Sequence, residues 1–214
     1  MKLLFVGNSH TYYNNMPAIV LRLLEATGQK SHVTMVTSGG KDLIYHSKRP
    51  DVFFNITYGG YDAVIVQDKA SGFERAAFLE GAATLKDMTD KAGVPIYFYM
   101  PWALRDNRSA QQEMTNAYDA FCRSNRCPLA PAGEVFSRIL LHESPELLYN
   151  EDGNHATPIG SYLAAVTVFY AVTGRKRVLH PENIDDPGIA AGIPVELCRR
   201  IHAEACRATR LYNG

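Results

Sequence analysis

A serine hydroxyl, an imidazole and a carboxylate can together move an acyl group, and this chain holds one set in a suggestive order. Ser9 lies in Gly7-Asn8-Ser9-His10-Thr11, directly after the apolar run Leu3-Leu4-Phe5-Val6, so its hydroxyl falls at the turn that leaves a strand. Far downstream, Asp152-Gly153-Asn154-His155 sets an acid three residues before an imidazole. At that spacing the carboxylate can accept the Nδ1 proton of the same ring, which leaves Nε2 free to take a proton from a serine. Each piece has a plainer reading. Serine after a first strand also occurs in phosphate-binding loops and helix caps, and among seven histidines one chance Asp-x-x-His is unsurprising.

Other residues gain interest from where they fall. Ser38-Gly39-Gly40 follows a second strand-like run, and glycine there lets the backbone bring an N–H close to a ligand or simply makes a tight turn. Gln67 ends the run Val64-Ile65-Val66, as a functional amide or as a strand end satisfied by solvent. His10 reads as a pocket residue or a solvent-facing loop histidine. Trp102 and Arg105 read as substrate contacts or as a structural aromatic and a surface cation. Tyr12 and Tyr13 either stack on a sugar or acyl group or pack where the loop enters the first helix. His142-Glu143 is a weaker rival pair, since it ends the helical pattern Phe136, Ile139, Leu140.

Such residues act only if a scaffold brings them together. Short runs rich in Val, Ile, Phe and Tyr predict strands at Lys2–Val6, His32–Thr37, Ala63–Val66, Pro95–Met100 and Pro128–Pro131. Helical patterns alternate with them. Pro17–Ala26 stops at Gly28, and Phe73–Lys91 stops at Gly93. A third helix is expected to start at Ser109, with Gln112 closing a capping box. A fourth has Thr157 as cap, Pro158 in its first turn and Gly174 past its end, and its wholly apolar interior predicts burial. Pro194–Arg210 reads as an amphipathic closing helix. This alternation is that of a three-layer α/β/α sandwich on a five-stranded parallel sheet, in which ligands sit beyond the carboxyl ends of the strands.

Composition narrows the partners. The 214 residues suit a single domain spanning 1–214, and 22 basic residues balance 22 acidic ones. No net field draws the chain to nucleic acid or an anionic membrane, and no run approaches the roughly 20 apolar residues of a membrane span. Only Lys2 precedes a short apolar run, which does not read as a signal peptide and sets a cytoplasmic expectation. Cys122 and Cys127 are near enough in sequence to bridge, but four scattered cysteines are expected to stay reduced. There is no His-Glu-x-x-His, Cys-x-x-Cys, phosphate loop or dinucleotide fingerprint, so no metal or cofactor is expected. The Gly-x-Ser-x-Gly elbow of other α/β hydrolases is also missing.

In this order the four blocks resemble the SGNH hydrolases, also called GDSL-like esterases and lipases, over residues 3 to about 172. The resemblance implies a flavodoxin-like fold and cleavage of a small-molecule or carbohydrate ester by an acyl-enzyme route. It implies Ser9 as nucleophile, Asp152 and His155 as orienter and base, and Ser9, Gly40 (or Gly39) and Gln67 as oxyanion donors. Asn8, His10, Gly39, Trp102 and Arg105 would then border the substrate. The chain departs from the pattern at Asn8, where the family has Asp, and at Gln67, where it has Asn; a Gln block is shared with some acetylesterase branches. Two other functions fit the same fold: an FMN-binding module whose first loop holds a phosphate, which leaves Asp152-x-x-His155 unexplained, and a catalytically silent relative that binds carbohydrate.

Overall fold

The computed structural model describes residues 1–214. Five parallel strands, β1 (Lys2–Gly7), β2 (His32–Thr37), β3 (Ala63–Val66), β4 (Ile96–Tyr99) and β5 (Leu129–Ala130), lie in the order β2-β1-β3-β4-β5. The chain steps outward from β1 to β2 and then returns to the other side with β3. That reversal opens a crevice between the carboxyl ends of β1 and β3, where open α/β sheets bind ligands.

The helices, in chain order, are α1 (Ser9–Tyr12), α2 (Met16–Ala26), α3 (Leu43–Ser47), α4 (Pro50–Tyr58), α5 (Arg75–Ala92), α6 (Gln111–Asn125), α7 (Ala132–Ile139), α8 (Pro158–Thr173), α9 (Pro187–Ala190) and α10 (Val195–Asn213). Alternate side chains of a strand point to opposite faces, so β1 and β3 each feed two cores. Leu3, Phe5, Ala63 and Ile65 pack with α2, α7, α8 and α10. Leu4, Val6, Val64 and Val66 pack with α3 to α6.

Most elements follow the local sequence signals. Thr157 caps α8 by accepting the Gly160 N–H at 3.1 Å, Pro158 opens it, and Gly174 ends it in the left-handed region. Every residue from Gly160 to Val172 is buried, as the apolar run predicts. Even so, no helix is long and apolar enough to cross a membrane. The four cysteines are buried free thiols, and burial pushes the Cys122 and Cys127 thiols up.

Three expectations are corrected. The third helix starts at Gln111, not Ser109: Gln111 turns inward to accept the Ala103 N–H at 2.7 Å, and the Ser109 hydroxyl bonds Asn107 instead of capping. Strand pairing in β5 shrinks to Leu129–Ala130, since Pro128 and Pro131 have no N–H to give. The Asn213 side chain, rather than another strand, covers the edge at Leu129 with bonds of 2.8 and 2.9 Å. Between β2 and β3, where sequence patterning set no helix, α3 is capped by Asp42 and α4 is opened by Pro50.

Gly81 allows α3 and α5 to approach. A Cβ there would lie 2.6 Å from the Ile44 backbone nitrogen and the Leu43 carbonyl carbon. Alanine at a helix-interior glycine normally gains up to about 1 kcal/mol in propensity. Here overpacking of about 1–3 kcal/mol outweighs that gain, so Gly81→Ala is expected to lower the urea midpoint of unfolding at unchanged slope.

Candidate active site

The first wall of the site is the exit from β1. Asn8 caps α1 with its side-chain oxygen, which accepts the His10 N–H at 3.1 Å, so the expected strand-to-loop turn is in fact one turn of helix beginning at Ser9. The N–H of Ser9, first in that helix, has no intrahelical acceptor. Ser9 itself is only 7% exposed.

The second wall follows β2. Ser38 N–H donates to the Gly7 carbonyl at 3.0 Å, and Asn8 Nδ2 donates to the Lys41 carbonyl at 2.9 Å, so the loop lies against the Asn8-Ser9 turn. Gly40 has φ +68°, which disfavours any residue with a Cβ. Gly39 and Gly40 are exposed, and neither N–H has an acceptor within the protein.

The third wall is the turn before α8. A bridge between Tyr149 and Ala156 closes it, and Asn150 N–H donates to the His155 carbonyl at 2.8 Å. Asp152 Oδ1 accepts the N–H groups of Asn154 and His155, both at 2.9 Å, while Oδ2 meets His155 Nδ1 at 2.5 Å. Burial pushes the Asp152 carboxyl up, but the imidazole bond and the two N–H donors outweigh it and hold the pKa at about 2. His155 Nε2 then lies 2.9 Å from Ser9 Oγ. Three side chains separated by up to 146 positions thus form one hydrogen-bonded line from carboxylate to hydroxyl.

Gln67 is brought to this place but not to the expected task. It is fully buried, its Oε1 accepts the Asn8 N–H at 3.1 Å and the Thr11 hydroxyl at 2.8 Å, and its NH2 faces the Asp68 carbonyl. Turning the amide over would set its NH2 against the Asn8 N–H, so the orientation is fixed by chemistry. Gln67 thus braces the Ser9 turn against β3, with both its amide oxygen and its NH2 engaged within the protein, where the sequence set an oxyanion donor. Gly7 permits this approach: a Cβ there would sit 2.5 Å from Thr11 Oγ1 and 2.7 Å from Gln67 Oε1. The next residue, Asp68, accepts the Leu43 N–H at 2.9 Å, tying the start of α3 to β3. Burial, and secondarily the charge of Asp42, push its carboxyl up to about 6.

Of the residues expected to border substrate, Asn8, His10 and Trp102 are buried and pack beside Ser9 and His155. Trp102 stacks on Phe136 at 4.1 Å and donates from Nε1 to the Asn154 carbonyl at 2.9 Å, holding the turn that carries His155. The His10 ring packs 4.8 Å from Trp102 rather than facing solvent; burial, then the neighbouring His155, push its pKa down to about 4. Arg105 donates its backbone N–H to the Gly153 carbonyl at 2.8 Å and lays its side chain against Gly153. Gly39 lies under the Tyr12 hydroxyl. The rival Glu143 is engaged by Arg200 at 2.5 Å. Tyr13, weighed as a sugar platform, instead lies flat on His155, with ring centroids 4.1 Å apart and 10° between planes. The one sequence signal for this was Asn14-Asn15, a pair suited to a left-handed reversal.

Ser9, Gly40, Asp152 and His155 line none of the cavities of about 960, 430 and 160 Å³, though the second is bordered by Asn14, Asn15 and Pro158 beside this site. The largest is at the far end of α8, about 24 Å from its start at 1.5 Å per residue. No group of three or more His, Cys, Asp or Glu side chains is placed to hold a metal ion.

The architecture is that of the SGNH hydrolases. A provisionally assigned SGNH hydrolase from Slackia heliotrinireducens is 24% identical, with 80% of this chain and 98% of its own covered at a TM-score of 0.67. A DUF4886 family protein from Bacteroides uniformis is 17% identical over 100% of this chain and 96% of its own, with a TM-score of 0.77. An acetyl xylan esterase from Geobacillus stearothermophilus is 16% identical over 79% of this chain and 92% of its own, with a TM-score of 0.62. At these identities the likeness is one of fold. No protein-family model matches the chain, and no curated protein sequence matches it.

The brace assignment of Gln67 is separable from a catalytic one. Gln67→Leu is expected to lower unfolding stability by about 1–3 kcal/mol, because it leaves the buried Asn8 N–H without an acceptor. A normal stability with only turnover lost would restore Gln67 to the oxyanion hole.

Proposed function

We propose that this protein is a serine hydrolase that cleaves short acyl esters through an acyl-enzyme, and that O-acetylated carbohydrate is its substrate class. The carrying observation is the continuous line Asp152 Oδ2 to His155 Nδ1 at 2.5 Å and His155 Nε2 to Ser9 Oγ at 2.9 Å. In this reading His155 takes the Ser9 proton as the oxygen attacks the ester carbonyl, and Asp152 holds the ring in the tautomer with Nε2 open. Asp152 suits that part, since a carboxyl at about 2 stays ionised well below the pH range in which histidines titrate. The developing oxyanion falls to the free N–H groups of Ser9 and Gly40, each such donor typically contributing about 10² to 10³ in rate. The protonated His155 passes its proton to the leaving alcohol. Water, activated by the same ring, then releases the acid and restores the hydroxyl.

Two observations favour a small acyl group on a sugar. Neither Ser9 nor His155 lines any of the three cavities described above, which favours a small acyl group over a long chain. An acetyl xylan esterase shares the fold.

Ser9→Ala is expected to cut turnover of p-nitrophenyl acetate by about 10⁴-fold or more and to abolish labelling by a fluorophosphonate probe. Retained, Ser9-independent turnover would remove Ser9 as nucleophile. Among acetyl, butyryl and octanoyl esters, the acetyl ester should give the highest kcat/KM; preference for octanoyl would overturn the short-acyl assignment.

A further inference from the structure

His155 is held at both ring nitrogens, by Asp152 on one side and Ser9 on the other. Two such bonds fix the ring along the line between its partners but leave it able to roll about that line. A flat neighbour removes the roll. Tyr13 is that neighbour, with ring centroids 4.1 Å apart and planes within 10°.

The backbone around Tyr13 is built to put it there. Asn14 and Asn15 are consecutive non-glycine residues in the left-handed region, at φ 51° and 55°. Asparagine tolerates that region better than most residues, but two in succession persist only where the surroundings impose them. The restraint comes from the base's own turn. Asn14 Nδ2 donates to the carbonyl of Ala156, the residue after His155, and to Ser161 Oγ, both at 2.9 Å, and Ser161 Oγ donates back to the Tyr13 carbonyl at 3.4 Å. The strap between α1 and α2 is therefore pinned to the segment that carries the imidazole.

Resting on the acyl-transfer reading of the site, we propose that Tyr13 is a positioning residue for His155, locking the roll of its ring and stabilising the imidazolium formed when Ser9 gives up its proton. An aromatic face attracts a cation laid against it. The other groups facing His155 fit that demand. Asp152 supplies a negative charge from the same turn; Ser9 is neutral; and His10 of α1, its ring 5.8 Å away, is kept uncharged by burial at catalytic pH. Arg105, from the loop after β4, lies against Gly153 on the far part of the turn.

The test uses the full chain with p-nitrophenyl acetate across pH 5–9. Tyr13→Phe keeps the ring and should hold kcat within about twofold. Tyr13→Leu should lower kcat about tenfold with little change in KM. It should also move the acid limb of kcat/KM down by about 0.5 pH unit, since loss of the aromatic face disfavours the protonated base. Asn14→Gly, which keeps the left-handed backbone but deletes the pins, should shift both in the same direction by less, and it serves if Tyr13→Leu fails to fold. A folded Tyr13→Leu with unchanged kcat and acid limb overturns the proposal. A rise in KM alone also overturns it, because Tyr13 would then be touching substrate. If no ester is turned over in a Ser9-dependent way, the functional reading itself fails. The stacking is still decided without substrate by NMR titration of the His155 Cε1–H: a resonance and midpoint identical in wild type and Tyr13→Leu would end it, and a downfield move with a lower midpoint would support it.

Discussion

The 2.9 Å contact between Ser9 Oγ and His155 Nε2 joins the first strand to a turn 146 residues later, and much of the architecture serves to keep that distance. A misplacement of about 1 Å in such a geometry can cost on the order of 10²-fold in rate. Both ends accordingly rest on stiff parts of the fold. Ser9 follows β1, which is paired on both sides and buried at every position from Leu3 to Gly7. His155 stands two residues before the cap of α8, a helix buried over nearly its whole length between the sheet and its neighbouring helices.

The residues around this contact form a scaffold of hydrogen bonds more than a binding cavity. Gln67 holds the backbone of Asn8 and the hydroxyl of Thr11, and Asn8 in turn holds the loop of Gly39 and Gly40 through Lys41. Trp102 grips the Asn154 carbonyl on the opposite side. Substituting one of these is therefore expected to shift Ser9 or His155.

Charge is managed by the same means. Asp152 is 46% exposed on its side chain, yet its ionised form is favoured by two backbone N–H groups and the imidazole rather than by a cation. His10 is the converse case, an imidazole that burial, and then the neighbouring His155, hold in its neutral form. Asp68, buried and raised, ties β3 to α3 and makes no contact with Asp152 or His155.

What the sequence determined by itself is what depends on near neighbours. Strands were legible because they are short runs rich in Val, Ile, Phe and Tyr, α8 because Thr157, Pro158 and Gly174 punctuate it, and the Asp152-His155 pair because three residues of turn suffice to bring an acid to its own imidazole. Only the tertiary structure decided matters settled by competition among distant groups. Gln67 could not be assigned as brace or donor until Asn8 and Thr11, some 56 to 59 positions away, claimed its oxygen. Ser109 lost its capping role because Gln111 found a buried acceptor and donor set, and Trp102 turned inward because Phe136 offered it a face. Tyr13 met His155 across 142 positions of the chain. A side chain's type is written locally, but its direction is chosen by whichever partner leaves the fewest buried polar groups unpaired, and that partner is known only once the chain has closed on itself.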